Sequence, residues 1–122
     1  MNNTIAVNRH TMETKFPGVY AIGDVTGIPL AVGMPLPKAG VFAHHEGEAV
    51  AQTIAAQITS RGQAGSFDGE GECFIEVGGG KAGFGRGNFY AEPRPVIKLH
   101  QPTRYWHAGK ILFEKDWFRR WF

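Results

Sequence analysis

The sequence predicts an α+β chain: a long helix following a broken apolar segment, then a small antiparallel β unit, then an amphipathic C-terminal helix. Three observations predict it. Val50, Ile54 and Ile58 recur every four residues within residues 38–61, as on one face of a helix. The runs "ECFIEV" and "GNFYAE" flank a glycine-rich stretch, the pattern of a hairpin. The closing run "RYWHAGKILFEKDWFRRWF" separates aromatic from charged residues at helical spacing. Three regions follow from composition: residues 1–62, 63–101 and 102–122.

In chain order, a polar, turn-rich lead comes first. "GVYAIGDV" is an apolar run bounded by Gly18 and Gly23, and it reads as a buried strand. "TGIPLAVGMPLP" is irregular because Pro29, Pro35 and Pro37 interrupt it. A helix over residues 38–61 comes next, with Pro37 at its first position and Gly62 as its stop.

The middle region holds a formal G-x-G-x-x-G at Gly78, Gly80 and Gly83, directly after the strand-like "CFIEV". A dinucleotide loop needs a helix to open at those glycines, and Pro93 and Pro95 in the run that follows forbid one. Nor is this a phosphate-binding Walker loop, since Lys81 precedes Ala82 rather than Ser or Thr. The glycines therefore read as a turn between two strands, and "RPVIKLH" as an edge strand with Pro95 at its start.

In the last region Thr103 is the expected N-cap. A helical wheel gathers Trp106, Ile111, Phe113, Trp117, Phe118, Trp121 and Phe122 on one half, against Lys115, Asp116, Arg119 and Arg120 on the other. An aromatic face flanked by Arg and Lys suits a helix lying in a membrane interface, or one packing on a parent domain.

At 122 residues the chain is one small domain or a piece of a larger one. A formal net charge of +2 is too slight for a nucleic-acid surface. One cysteine, Cys73, excludes an internal disulfide and points to a reducing compartment, or to a redox partner outside this chain. No apolar run is long enough to span a bilayer, and "MNNTIAVNRH" has no signal-peptide pattern, so the expected location is cytoplasmic or peripheral to a membrane. His44 and His45 are adjacent and share no ligand spacing with His100 or His107, so no metal site is expected and both read as solvated.

"VYAIGD", preceded by "ETKFPG", resembles the second FAD-binding motif of the flavoprotein disulfide-reductase superfamily. The resemblance implies that Gly23 lets the backbone approach the cofactor and that the Asp24 carboxylate accepts hydrogen bonds from ribityl hydroxyls. Within that superfamily the chain is similar to the C-terminal part of sulfide:quinone oxidoreductases. "PKAG" resembles the segment that meets the flavin's pyrimidine end, which makes Pro37, Lys38 and Ala39 cofactor-binding residues. Cys73 and Phe74 resemble the third redox cysteine and its neighbour, and "HAGKILFEK" resembles the quinone-site helix, with His107, Lys110 and Phe113 at the quinone. The implied catalytic residue is Cys73, the implied cofactor FAD and the implied electron acceptor a quinone.

The family's N-terminal Gly-rich motif, its nucleotide-like second domain and its other cysteines are absent from this sequence. The resemblance thus implies the C-terminal piece of a two-Rossmann-domain α/β flavoprotein, partnered by missing N-terminal domains and by a membrane surface. Self-association through the Val50, Ile54 and Ile58 face is also expected. Two other functions fit the same residues. A type II NADH:quinone reductase shares the Asp24-type motif without needing a cysteine, and a non-catalytic module could use "KAGFGRGNFY" as a basic aromatic surface.

Overall fold

The computed structural model describes residues 3–122. It is a mixed α/β structure with two long helices, α1 (Gly40–Thr59) and α2 (Arg104–Trp121), and three strands, β1 (Glu70–Gly78), β2 (Lys81–Asn88) and β3 (Val96–Thr103). The strands form one antiparallel sheet in the order β1-β2-β3. The chain divides into two compact units, Met1–Gly71 with Asn88–Val96, and Glu72–Gly87 with Ile97–Phe122.

In the first unit, Met12, Ile28, Leu36, Phe42, Phe67 and Tyr90 form the heart of the core. Aromatic edges meet there: the Phe42 ring lies 4.9 Å from Phe89, and Phe67 lies 5.3 Å from Tyr90. The run "GVYAIGDV" is not a buried strand. It contributes one isolated bridge, Glu13 to Tyr20, then turns into a short 3-10 segment, Gly23–Val25. Val19, Ile22 and Val25 are 51%, 41% and 44% exposed. Left-handed glycines at Gly18 (φ +75°) and Gly23 (φ +71°) bracket the run and limit its pairing with residues 12–14 to that one bridge, so its apolar character alone makes no ladder.

Helix α1 starts later than expected, at Gly40. Ala39 is its N-cap and Pro37 lies outside, so Pro37 is not a first-position proline. The helix ends at Thr59, where Ser60 turns left-handed (φ 53°), two residues before Gly62. Its buried stripe is Phe42, Glu46, Ala49 and Thr53, while Ile58 of the expected face is 78% exposed and Ile54 39%. Of that face only Val50 packs against the core, because the inner stripe is rotated toward Phe42, Glu46, Ala49 and Thr53. The true inner face carries two polar residues whose atoms are satisfied locally: Thr53 Oγ1 donates to the Ala49 carbonyl at 3.0 Å and accepts from the Gly65 amide at 2.9 Å. This tie brings Gly65 hard against the helix, where a Cβ on it would stand 2.1 Å from the Ala49 oxygen.

In the second unit, the hairpin turn is shorter than the glycine run. Gly78, Gly79 and Gly80 take φ of +87°, +60° and +66°, and β2 starts at Lys81. Gly83, Gly85 and Gly87 therefore lie within β2, and most of "GNFYAE" is not strand: after Asn88 the chain leaves the sheet, and Phe89 and Tyr90 join the core of the first unit. A glycine in a strand marks a close approach. A Cβ on Gly85 would sit 2.9 Å from Leu99 Cδ2, so the bare position accommodates the Leu99 side chain of β3. Strand β3 begins directly after Pro95 and lies at the sheet edge. Thr103 caps α2 as its chemistry requires, its Oγ1 accepting from the Trp106 amide at 3.3 Å.

Candidate functional site

The first unit holds the Gly23–Asp24 turn. It is clamped at both ends. The Gly23 amide donates to Glu46 Oε2 at 2.6 Å, and Lys38 Nζ donates to the Thr26 carbonyl. Between them, the Thr26 hydroxyl donates to the Gly23 carbonyl at 2.8 Å, and the Thr26 amide does so at 3.0 Å. The turn sits directly on α1, for a Cβ on Gly23 would stand 3.2 Å from the Ala43 Cβ. Asp24 itself is exposed and makes no hydrogen bond or ion pair among the described residues.

Glu46 is the residue that sequence reading missed. It is 1% exposed. Burial pushes its carboxyl above the ordinary carboxylate range, against the Gly23 amide and the Lys38 ammonium, which favour the ionised form; nearby Asp24 adds to the upward push. A signal for it exists: Phe42, Glu46, Ala49 and Thr53 share one helix face. A reading by apolarity alone skips a glutamate there. Lys38, expected beside an anionic ring, already has neighbours in Thr26 and Glu46. Pro37 is exposed, and Ala39 caps α1 without a side-chain hydrogen bond to its first-turn amides.

The second unit gathers Phe74, His107, Lys110 and Phe113 on one sheet face, beneath α2. Phe74 lies 4.9 Å from Phe84 and 5.9 Å from Phe113, ring centre to ring centre. Phe84 stacks on Trp106 at 4.5 Å with planes 11° apart, and His100 completes the aromatic layer at 4.8 Å from Trp106. Gly109 lets the helix close down on this layer, since a Cβ there would already touch Phe74 at 3.5 Å. Beside Phe74, Glu76 binds both polar candidates: His107 Nδ1 is 3.0 Å from Oε1, and Lys110 Nζ is 3.4 Å from the same atom. The hydrogen bond from His107, followed by the contact with Lys110, holds the Glu76 carboxyl below its ordinary range. Glu76 was also missed, although it stands two residues from Phe74 and so on the same face of the strand.

Alternation puts Cys73 on the opposite face, with Ile75 and Val77. The thiol is exposed, and its Sγ–H donates to the Phe74 carbonyl at 3.3 Å. His44 and His45 are not simply solvated: each ring places a nitrogen 3.3 Å from a Glu48 oxygen. No group of metal-ligating side chains occurs among the described residues. An open cleft of about 300 Å³ in the first unit is lined by His45, Glu48, Gln52, Phe67, Asp68 and Glu70, and none of the expected site residues borders it. No family model matches the chain, and no curated protein matches it either.

Proposed function

We propose that this chain is the C-terminal segment of an FAD-dependent oxidoreductase that moves electrons from sulfide to a quinone. The observation that carries the reading is the ordered set "VYAIGD", "PKAG", Cys73–Phe74 and "HAGKILFEK", four spaced signatures in one short chain. The geometry supports it in each unit separately. Asp24 is offered outward on a doubly clamped turn, with no hydrogen bond or ion pair to its carboxylate among the described residues. The open N-terminus of α1 beside Ala39 favours negative charge there, as a reduced ring would carry.

These residues fit the ribityl and pyrimidine parts of FAD. When bound, FAD supplies a two-electron relay between the sulfur and quinone half-reactions. Cys73, exposed and free, would hold the sulfur with a second cysteine from another part of the protein. In the balance, sulfide loses two electrons and remains as sulfane sulfur, while the quinone takes two electrons and two protons. The half-exposed outer face of Phe113, packed at 5.9 Å on Phe74, offers a stacking surface for a quinone ring, and His107 and Lys110, oriented by Glu76, offer hydrogen-bond donors. Helix α2 would bring this slot to a membrane surface. No helix of the described residues is long and apolar enough to cross a membrane, but Phe118, Trp121 and Phe122 stand 58%, 54% and 95% exposed next to Arg119 and Arg120.

The reading as a basic aromatic module loses its surface, because Phe84 is covered by Trp106 and Tyr90 is buried. The test of the oxidoreductase reading is Cys73→Ser in the protein that carries this segment. Sulfide-dependent quinone reduction should disappear while the flavin absorbance stays. Retained sulfide turnover would overturn the assignment, and NADH-dependent quinone reduction untouched by the substitution would favour the NADH-linked alternative.

A further inference from the structure

The Gly23–Asp24 turn depends on one buried, ionisable side chain, and this gives it a property that holds whichever ligand Asp24 serves. Glu46 reaches the turn from the middle of α1, is almost wholly enclosed, and accepts the Gly23 amide at 2.6 Å, a short, charge-assisted distance. Its helix neighbours one turn away, Phe42, Ala43, Ala49 and Val50, carry no charge. The charged or titratable groups that face it come from elsewhere: Lys38 ahead of the helix, Asp24 on the turn, and Tyr90, whose hydroxyl is held protonated by burial first and by Glu46 second. Gly23 cannot be fixed by its own backbone preference, since a left-handed glycine is free to adopt other conformations.

We propose that Glu46 is a proton-linked latch and positioning residue for the Gly23–Asp24 turn: ionised, it fixes the Gly23 amide and so the direction of Asp24; protonated, it releases that hold. A neutral carboxylic acid accepts roughly half as strongly as a carboxylate. Protonation also removes the attraction to Lys38, whose ammonium holds the far end of the turn at Thr26. Both clamps thus feel the Glu46 charge, and acidification slackens the one at Gly23. Burial sets where this happens, displacing the transition upward from the pH at which exposed carboxylates titrate.

The test uses the 122-residue chain without cofactor, so it stands apart from the flavoprotein reading. Amide shifts of a nitrogen-15-labelled sample are followed between about pH 3.5 and 7.5. The Gly23 amide proton should move upfield on acidification, with the same midpoint as the Glu46 side-chain carboxyl carbon. Gly18 is an internal control, because its N–H donates to a carboxylate that the Glu46 substitution leaves in place, that of the half-buried Glu13, at 2.8 Å. Val25 and Thr26 should follow the Gly23 midpoint, and Thr26, whose amide bonds back to Gly23, should lose exchange protection over the same range. In Glu46→Gln the Gly23 transition should vanish while that of Gly18 persists. Persistence of the Gly23 transition in that variant overturns the proposal. Should the variant fold poorly, the wild type alone decides, since different midpoints for the Glu46 side-chain carboxyl carbon and the Gly23 amide refute the latch.

Discussion

Two glycines of the G-x-G-x-x-G pattern should respond to alanine in opposite directions. Gly80 sits at φ +66°, and a Cβ built on it meets nothing within 4 Å. Its whole cost is thus backbone strain, about 1–2 kcal/mol for an L-residue held left-handed. Gly83 has no positive φ, and its Cβ would meet only ordinary contacts, the nearest being the His100 carbonyl oxygen at 3.5 Å. There, alanine restricts the unfolded chain without straining the fold, a gain of about 0.5–1 kcal/mol. The two variants should therefore differ by about 2 kcal/mol, or roughly 8 °C in melting temperature. Urea unfolding followed by tryptophan fluorescence suits the measurement, since Trp106, Trp117 and Trp121 all lie on α2 in the same unit as the hairpin. Gly80→Asn should fall between wild type and Gly80→Ala, because asparagine tolerates the left-handed region. Gly83→Ala as damaging as Gly80→Ala would refute the hairpin account and restore a reason to look for a ligand at these glycines.

Gly65→Ala should cost about 3 kcal/mol by forcing a methyl into the α1 backbone at Ala49, read as a lowered thermal midpoint by circular dichroism. Phe118→Asp and Trp121→Asp should each weaken binding to anionic liposomes about tenfold in a sedimentation assay, since each removes a half-exposed aromatic from the apolar side of α2; unchanged binding would leave α2 as ordinary domain packing. The stabilisation from the Glu76 bridges to His107 and Lys110 is present above the ordinary carboxylate range and is lost as pH falls through the depressed value of Glu76, so Glu76→Gln should flatten the acid side of the stability profile.

What the sequence revealed was whatever local chemistry decides. Thr103 announces α2 because a hydroxyl at that position satisfies an orphan amide, and Pro95 announces the start of β3 because it cannot donate to a ladder. The hairpin was legible for a similar reason, since successive glycines relieve the strain of positive φ. Residues 18–25 were misread because a strand is a property of two segments, and no pattern within "GVYAIGDV" says that its pairing with residues 12–14 stops at one bridge. The extent of β2 was misread because Gly85 serves Leu99, fourteen positions away in the chain. Among the candidate site residues, Phe74 and Phe113 were named from a resemblance and do meet as neighbouring rings, but the carboxylates that organise both groups, Glu46 and Glu76, could be found only by asking which face each occupies.

Glu46 also makes a prediction about the whole fold, with a sign opposite to its local effect. Its ionised form holds the Gly23 amide, yet the loss of water around it outweighs that bond and the attraction of Lys38, so its folded value lies above its unfolded one. For such a group the protonated state is the one the fold prefers. Its contribution to stability is complete below the unfolded value, near 4.5, and is lost as pH rises through the raised folded value. Glutamine at this position keeps a carbonyl acceptor for Gly23 and never ionises. Relative to wild type, Glu46→Gln should therefore gain stability as pH climbs from about 4 to 7, and the two curves should converge in acid. Chemical denaturation at a series of pH values measures the difference directly. If wild type instead gains on the variant as pH rises, the Gly23 and Lys38 interactions outweigh burial, and the turn is held by a carboxylate that the fold has already reconciled with its interior.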